Sequence, residues 1–97
     1  MKDVITCKKS AGNYEAWHKN GVRHREDGPA VTCENGTTMW FKDGAYHRVG
    51  GPAIEWANGT EEWYQNDMLH REDGPAVTYN SGEKFWYENG ILIKQEK

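Results

Sequence analysis

The octet HREDGPAV fills residues 24–31 and returns letter for letter at 70–77, with a partial copy, HRVGGPAI, midway at 47–54. The neighbouring columns keep the same step of 23 residues: Trp17, Trp40, Trp63 and Trp86; His24, His47 and His70; Arg25, Arg48 and Arg71; Gly36, Gly59 and Gly82. Residues 24–46 and 70–92 are identical at 12 of 23 positions, which chance does not give. A fixed period in the range of about 20–50 residues marks an array of supersecondary units. The chain divides into an incomplete copy at 1–23, copies at 24–46, 47–69 and 70–92, and a terminal stretch at 91–97 expected to cap the array. At 97 residues it is one domain, 1–97.

Each copy carries two turn signals, one at Asn35-Gly36, Asn58-Gly59 or Ser81-Gly82 and one at Asp43-Gly44, Asn66-Asp67 or Asn89-Gly90. Such pairs accept positive φ at low cost. Short segments such as AVTCE and TTMWF run between them, in the grammar of β-hairpins. Leucine occurs only at Leu69 and Leu92, so five Trp, five Tyr and two Phe supply the bulk of the large apolar surface. The expected fold is an all-β, single-domain solenoid of β-hairpin repeats, about three and a half copies long, forming an elongated, twisted antiparallel sheet.

A two-residue loop at Asn35-Gly36 would set Val31 opposite Trp40 and Ala30 opposite Phe41, and in the next copy Ile54 opposite Trp63 and Glu55 opposite Glu62. Like charges facing each other disfavour a dry layer, so the Val/Ile–Trp face is expected inward and the glutamates outward. Each buried indole of the ladder would then contribute at most about 4–6 kcal/mol. Phe41, Tyr64 and Tyr87, with His18 at the same offset, fall in the outer column. There they serve either as aromatic anchors for a partner protein or as a second packing layer.

The octet itself reads as a corner between hairpins: proline suits the first residue of a strand, and the acids beside Arg25 and Arg71 can pair with them. The middle copy has Val49-Gly50 in place of those acids. Stacked copies would hold His24, His47 and His70 roughly 10 Å apart, too far to share one metal ion, so no metal or other cofactor is expected. Each imidazole would instead bond the backbone. No nucleophile–base pair converges, Ser10 and Ser81 fall in turns, and no phosphate-loop fingerprint occurs, so no enzymatic activity is expected. The row Arg25, Arg48 and Arg71, with the three histidines, offers an alternative site for a small ligand, nucleotide or phospholipid head group.

The net charge of −3 gives no basic field for nucleic acid or an anionic membrane, and no apolar run approaches the roughly 18–20 residues of a membrane span. Without a leader-like start, a cytoplasmic location is expected. Cys7 and Cys33 would stand about 10 Å apart on equivalent strands, beyond the about 7 Å limit for a disulfide, and are expected as free thiols. The two glycosylation-type triplets, Asn35-Gly36-Thr37 and Asn58-Gly59-Thr60, read as turns.

Trp40-Phe41-Lys42-Asp43-Gly44, His47, Gly51 and Asn58-Gly59, with their copies, resemble the MORN repeat, most of all the MORN-like form of bacterial and phage proteins that includes the YwqK-like antitoxins. The resemblance covers about residues 12–92. Gly-Pro-Ala stands where Gly-x-Gly is usual, Asp67 replaces a turn glycine, and Ile91-Leu92-Ile93 displaces the histidine column. It implies a non-catalytic protein binder, an antitoxin or inhibitor occluding a toxin or a host or defence factor, in the host cytoplasm if phage-encoded. The resemblance also implies a link to phospholipid; the apolar run Ile91-Leu92-Ile93 is expected to cap the core or, failing that, to form an edge that pairs with a second chain, so a monomer or an edge-paired homodimer is expected.

Overall fold

The computed structural model describes residues 2–3 and 14–97, and among them there are strands and turns but no helix. In chain order the strands are β1 (Lys2–Asp3), β2 (Tyr14–Lys19), β3 (Val22–Arg23), β4 (Val31–Cys33), β5 (Thr38–Met39), β6 (Phe41–Lys42) and β7 (Ala45–Tyr46). They continue with β8 (Ile54–Glu55), β9 (Glu61–Glu62), β10 (Tyr64–Gln65), β11 (Met68–Leu69), β12 (Val77–Thr78), β13 (Lys84–Glu88) and β14 (Ile91–Glu96). A large antiparallel sheet runs in the order β1-β2-β4-β5-β8-β9-β12-β13-β14 without closing on itself, and β3 pairs with the far end of β2. The hairpins β6–β7 and β10–β11 stand beside it as two-stranded units. Cys7 and the Lys8–Gly12 stretch lie outside the described residues; Cys33 is a free thiol.

Tryptophan marks the point where a strand leaves the main sheet for its flanking hairpin. The Trp40 N–H donates to Ala53 O at 2.6 Å, while Trp40 O accepts the His47 N–H at 3.2 Å. Trp17 and Trp63 do the same, toward Ala30 and Ala76 (both 2.7 Å) and from His24 (3.0 Å) and His70 (3.1 Å). The backbone is satisfied on both sides, so the strand bends there without leaving orphan donors.

The two families of turns differ in kind. Asp43-Gly44, with φ of 50° and 84°, has two consecutive left-handed residues, as do Asn20-Gly21, Asn66-Asp67 and Asn89-Gly90. That is the signature of a two-residue hairpin loop matched to strand twist. At Glu34-Asn35-Gly36 only Gly36 is left-handed, with φ 100°. There the Cys33 N–H donates to Thr37 O (2.8 Å) and the Gly36 N–H to Cys33 O (3.0 Å), closing a three-residue loop with a bulge at the glycine.

That extra residue corrects the expected register. Val31 stands opposite Met39, Ile54 opposite Glu62 and Val77 opposite Phe85. A slip of one residue exchanges the faces of a strand. The indoles of Trp17, Trp40, Trp63 and Trp86 are therefore only half-buried, not the shut-in ladder expected. Small and β-branched residues make the core instead: Ala16, Ala30, Val31, Ala53, Ile54, Ala76 and Val77, joined by Phe41 at 6% exposure. Glu55 faces Glu61 on the outer side, while Glu62 is turned inward between Ile54 and Val77.

The C-terminal expectation also changes. β14 does not fold over the end of the core; it pairs with β13 as the last strand of the sheet, and all six of its residues are exposed.

Candidate functional site

Each letter of the octet has a physical task. His24 Nδ1 accepts the Asp43 N–H at 2.9 Å, His47 Nδ1 the Asn66 N–H at 3.2 Å and His70 Nδ1 the Asn89 N–H at 3.0 Å. These N–H groups open the two-residue loops and have no partner within their own hairpin, so the imidazole of one corner ties down the next tight turn. Arg25, Arg48 and Arg71 lie over the rings of Trp17, Trp40 and Trp63, with guanidinium carbons 4.1, 4.0 and 3.8 Å from the ring centroids. The same guanidiniums donate to the carbonyls of Pro29, Pro52 and Pro75 at 3.1–3.3 Å. In the outer copies Arg Nε also bonds Asp27 and Asp73, both at 3.0 Å.

The glycine follows from the arginine. A Cβ built on Gly28, Gly51 or Gly74 would meet the guanidinium carbon at 2.7 Å, inside any real contact. Alanine and Val/Ile then enter the core at no more than 5% exposure. The octet is thus a self-contained joint: a cation sandwiched on an indole, held by a carbonyl and often a carboxylate.

The opposite turns are linked by a second set of rungs. Thr37 Oγ1 accepts the Ala57 N–H (3.1 Å) and Thr60 Oγ1 the Asn80 N–H (3.2 Å), and both threonines are buried. Asn35 Oδ1 and Asn58 Oδ1 accept the N–H groups of these same threonines at 3.0 and 2.9 Å, so the two triplets serve as structural turns.

The arginine and histidine rows do line one ridge, with clefts of about 270 Å³ and 390 Å³ between successive corners. Trp40, His47 and Arg48 border the first, and Trp63, His70 and Arg71 the second. Yet every guanidinium there is already engaged by an indole and a carbonyl, and the imidazoles by backbone amides. Among the described residues no group of three or more His, Cys, Asp or Glu side chains is placed to hold a metal ion.

Of the column His18, Phe41, Tyr64 and Tyr87, Phe41 alone is withdrawn from solvent. Phe41 is buried against Tyr46, ring centroids 4.5 Å apart, and Tyr46 continues to Tyr64 at 5.1 Å. This is the second packing layer, and the register slip is what turned Phe41 inward. Tyr64, Tyr87 and His18 are half-buried. Burial first, and then the hydrogen bond to Glu62, hold the Tyr64 hydroxyl well above the usual tyrosine range. Burial also raises Tyr46, with Arg23 opposing.

Two further surfaces carry exposed apolar side chains. One is β14, with Ile91 and Ile93 at 68% and 59% exposure and Leu92 beside them. The other is a cleft of about 280 Å³ bordered by Trp56, Tyr79 and Glu62. The Ile-Leu-Ile run was a visible signal for the first; only the true register exposes the second. Comparison with family models, with curated proteins and with solved structures returns no match. Among the described residues no helix is long and apolar enough to cross a membrane.

Proposed function

We propose that the chain is a non-catalytic protein-binding module, a solenoid of hairpin repeats whose C-terminal edge docks a partner by strand addition. One observation carries this reading. β14 is a six-residue edge strand whose first half, Ile91-Leu92-Ile93, is uncharged, free of proline and exposed. Natural sheets blunt such edges with charges, proline or short strands, because an open row of N–H and C=O groups invites another chain. Charges stand only in the second half of β14, at Lys94 and Glu96, so the uncharged, exposed first half is best read as an interface, in which main-chain bonds give affinity and alternate side chains give selectivity. The opposite edge, β1, is only two residues long.

The likeness to MORN-type repeats points the same way, toward an antitoxin or inhibitor that occludes a toxin or a host or defence factor. A sheet pre-ordered by the Arg–Trp joints would bind without a large ordering cost.

The test compares wild type with the Ile91→Lys/Ile93→Lys variant in affinity capture from a bacterial lysate, alongside sedimentation of each alone. Both side chains lie outside the core, so the far-UV spectrum should be unchanged. A protein retained by wild type and lost by the variant is the expected result; loss of self-association instead would make a second copy the partner. Equal retention by both, or retention that collapses with modest salt as phosphate contacts do, would overturn the edge as the docking surface.

A further inference from the structure

Met39, Glu62 and Phe85 occupy the same place in three successive copies. All three sit on the inner row of the sheet: Met39 between Val31 and Ile54, Glu62 between Ile54 and Val77, Phe85 beside Val77. The middle copy thus puts a carboxylate where its neighbours put apolar side chains. Glu62 is half-buried there, and a carboxylate kept partly from water calls for hydrogen bonds and an opposing charge. Two neutral donors satisfy part of that need: Trp56 Nε1 donates to Oε2 at 2.6 Å and the Tyr64 hydroxyl to Oε1 at 2.9 Å. Neither supplies positive charge, and none of the ion pairs among the described residues includes Glu62.

Beside this carboxylate lies the open cleft of about 280 Å³, with Thr60, Asn58 and Asn80 as its remaining border. Trp56 and Tyr79 keep 39% and 44% of their surface exposed there. An indole, a phenol ring and an unpaired carboxylate around one opening attract a cation, the rings through their quadrupole and the carboxylate through its charge. We infer that this cleft takes the ammonium or guanidinium head of a lysine or arginine side chain presented by the bound protein. The inference rests on the protein-binding reading and names the partner's chemistry: a basic side chain as its anchor.

The experiment reads the cleft alone, so its outcome is separable from the capture test. Trp56 Nε1–H gives its own signal in an amide correlation spectrum, and that hydrogen points at Glu62. The full chain is titrated with Nα-acetyl-lysine methylamide and, in parallel, with the norleucine analogue, which keeps the alkyl chain and lacks the charge. The expected result is a saturable shift of the Trp56 signal with the lysine probe only, weakened at least about tenfold in Glu62→Gln, which removes the charge and keeps an amide oxygen for one of the two donors. Tyr79→Ala should weaken it as well without disturbing the remaining indole signals. No shift, an equal shift with the norleucine probe, or an undiminished response in Glu62→Gln would each overturn the assignment.

Discussion

Gly51→Ala is the sharpest test of the corner. Gly51 is not left-handed, and the atoms nearest a new Cβ belong to the Arg48 guanidinium, 2.7 Å away at the end of a flexible side chain that would swing aside. The middle copy is the cleanest place to ask, because Arg48 lacks the aspartate partner that Arg25 and Arg71 have at this point. Displacing the guanidinium removes its stacking on Trp40, about 0.5–2 kcal/mol. It also removes a charge-assisted bond to Pro52 O, about 1.5–3 kcal/mol when well formed. The Arg48 side chain keeps 26% exposure, so solvent screens both, and a combined loss near 2 kcal/mol is expected. In a domain of this size that lowers Tm by about 8–16 °C. In an Arg48→Ala background the obstacle is gone, and Gly51→Ala should be neutral or stabilise by about 0.4–1 kcal/mol through the unfolded chain. Urea titrations of the four proteins therefore give a coupling energy near 2 kcal/mol. If Gly51→Ala costs the same in both backgrounds, the arginine is not the reason for the glycine.

Thr60→Val keeps shape and loses the acceptor of the Asn80 N–H, so it should cost about 1–2 kcal/mol in urea, while Thr60→Ser should cost less. Alkaline pH should unfold the protein through its tyrosines. With Tyr64 and Tyr46 raised in the fold above the ordinary value of 10.0, their contribution is whole below pH 10 and is lost as pH climbs toward the folded values. Tyrosinate absorbance followed alongside circular dichroism should show the last tyrosines ionising together with unfolding, and Tyr64→Phe should flatten that fall.

The period, the all-β class and the two turns of each full copy can be read directly from the residues, because glycine, asparagine and aspartate recur where left-handed backbone is required. The histidines' bonds to backbone were also legible, from their spacing. The register was not, and the reason is local. Asn35-Gly36 and Asp43-Gly44 look alike as dipeptides, yet one closes a three-residue loop and the other a two-residue loop. A clue lay in the columns: Ser81 shares the position of Asn35 and Asn58, and serine rarely takes positive φ, whereas Asn20, Asp43, Asn66 and Asn89 are all residues that do. That single residue of loop length decided which aromatic went inside, and with it the candidate site. It buried Phe41, lifted the indoles to meet the arginines, and turned Glu62 inward beside Trp56.

The two ladders of rungs join residues 19 and 20 positions apart, from His24 to Asp43 and from Thr37 to Ala57. The histidine rungs close within one copy and the threonine rungs reach the copy alongside, so no rung extends beyond the neighbouring unit. A gene duplication or excision of one whole 23-residue unit would leave every surviving rung with a partner, whereas insertion of one codon inside a unit would unseat a turn from its histidine or threonine. Such a molecule can change its reach in evolution by counting modules, at no risk to the joints between them.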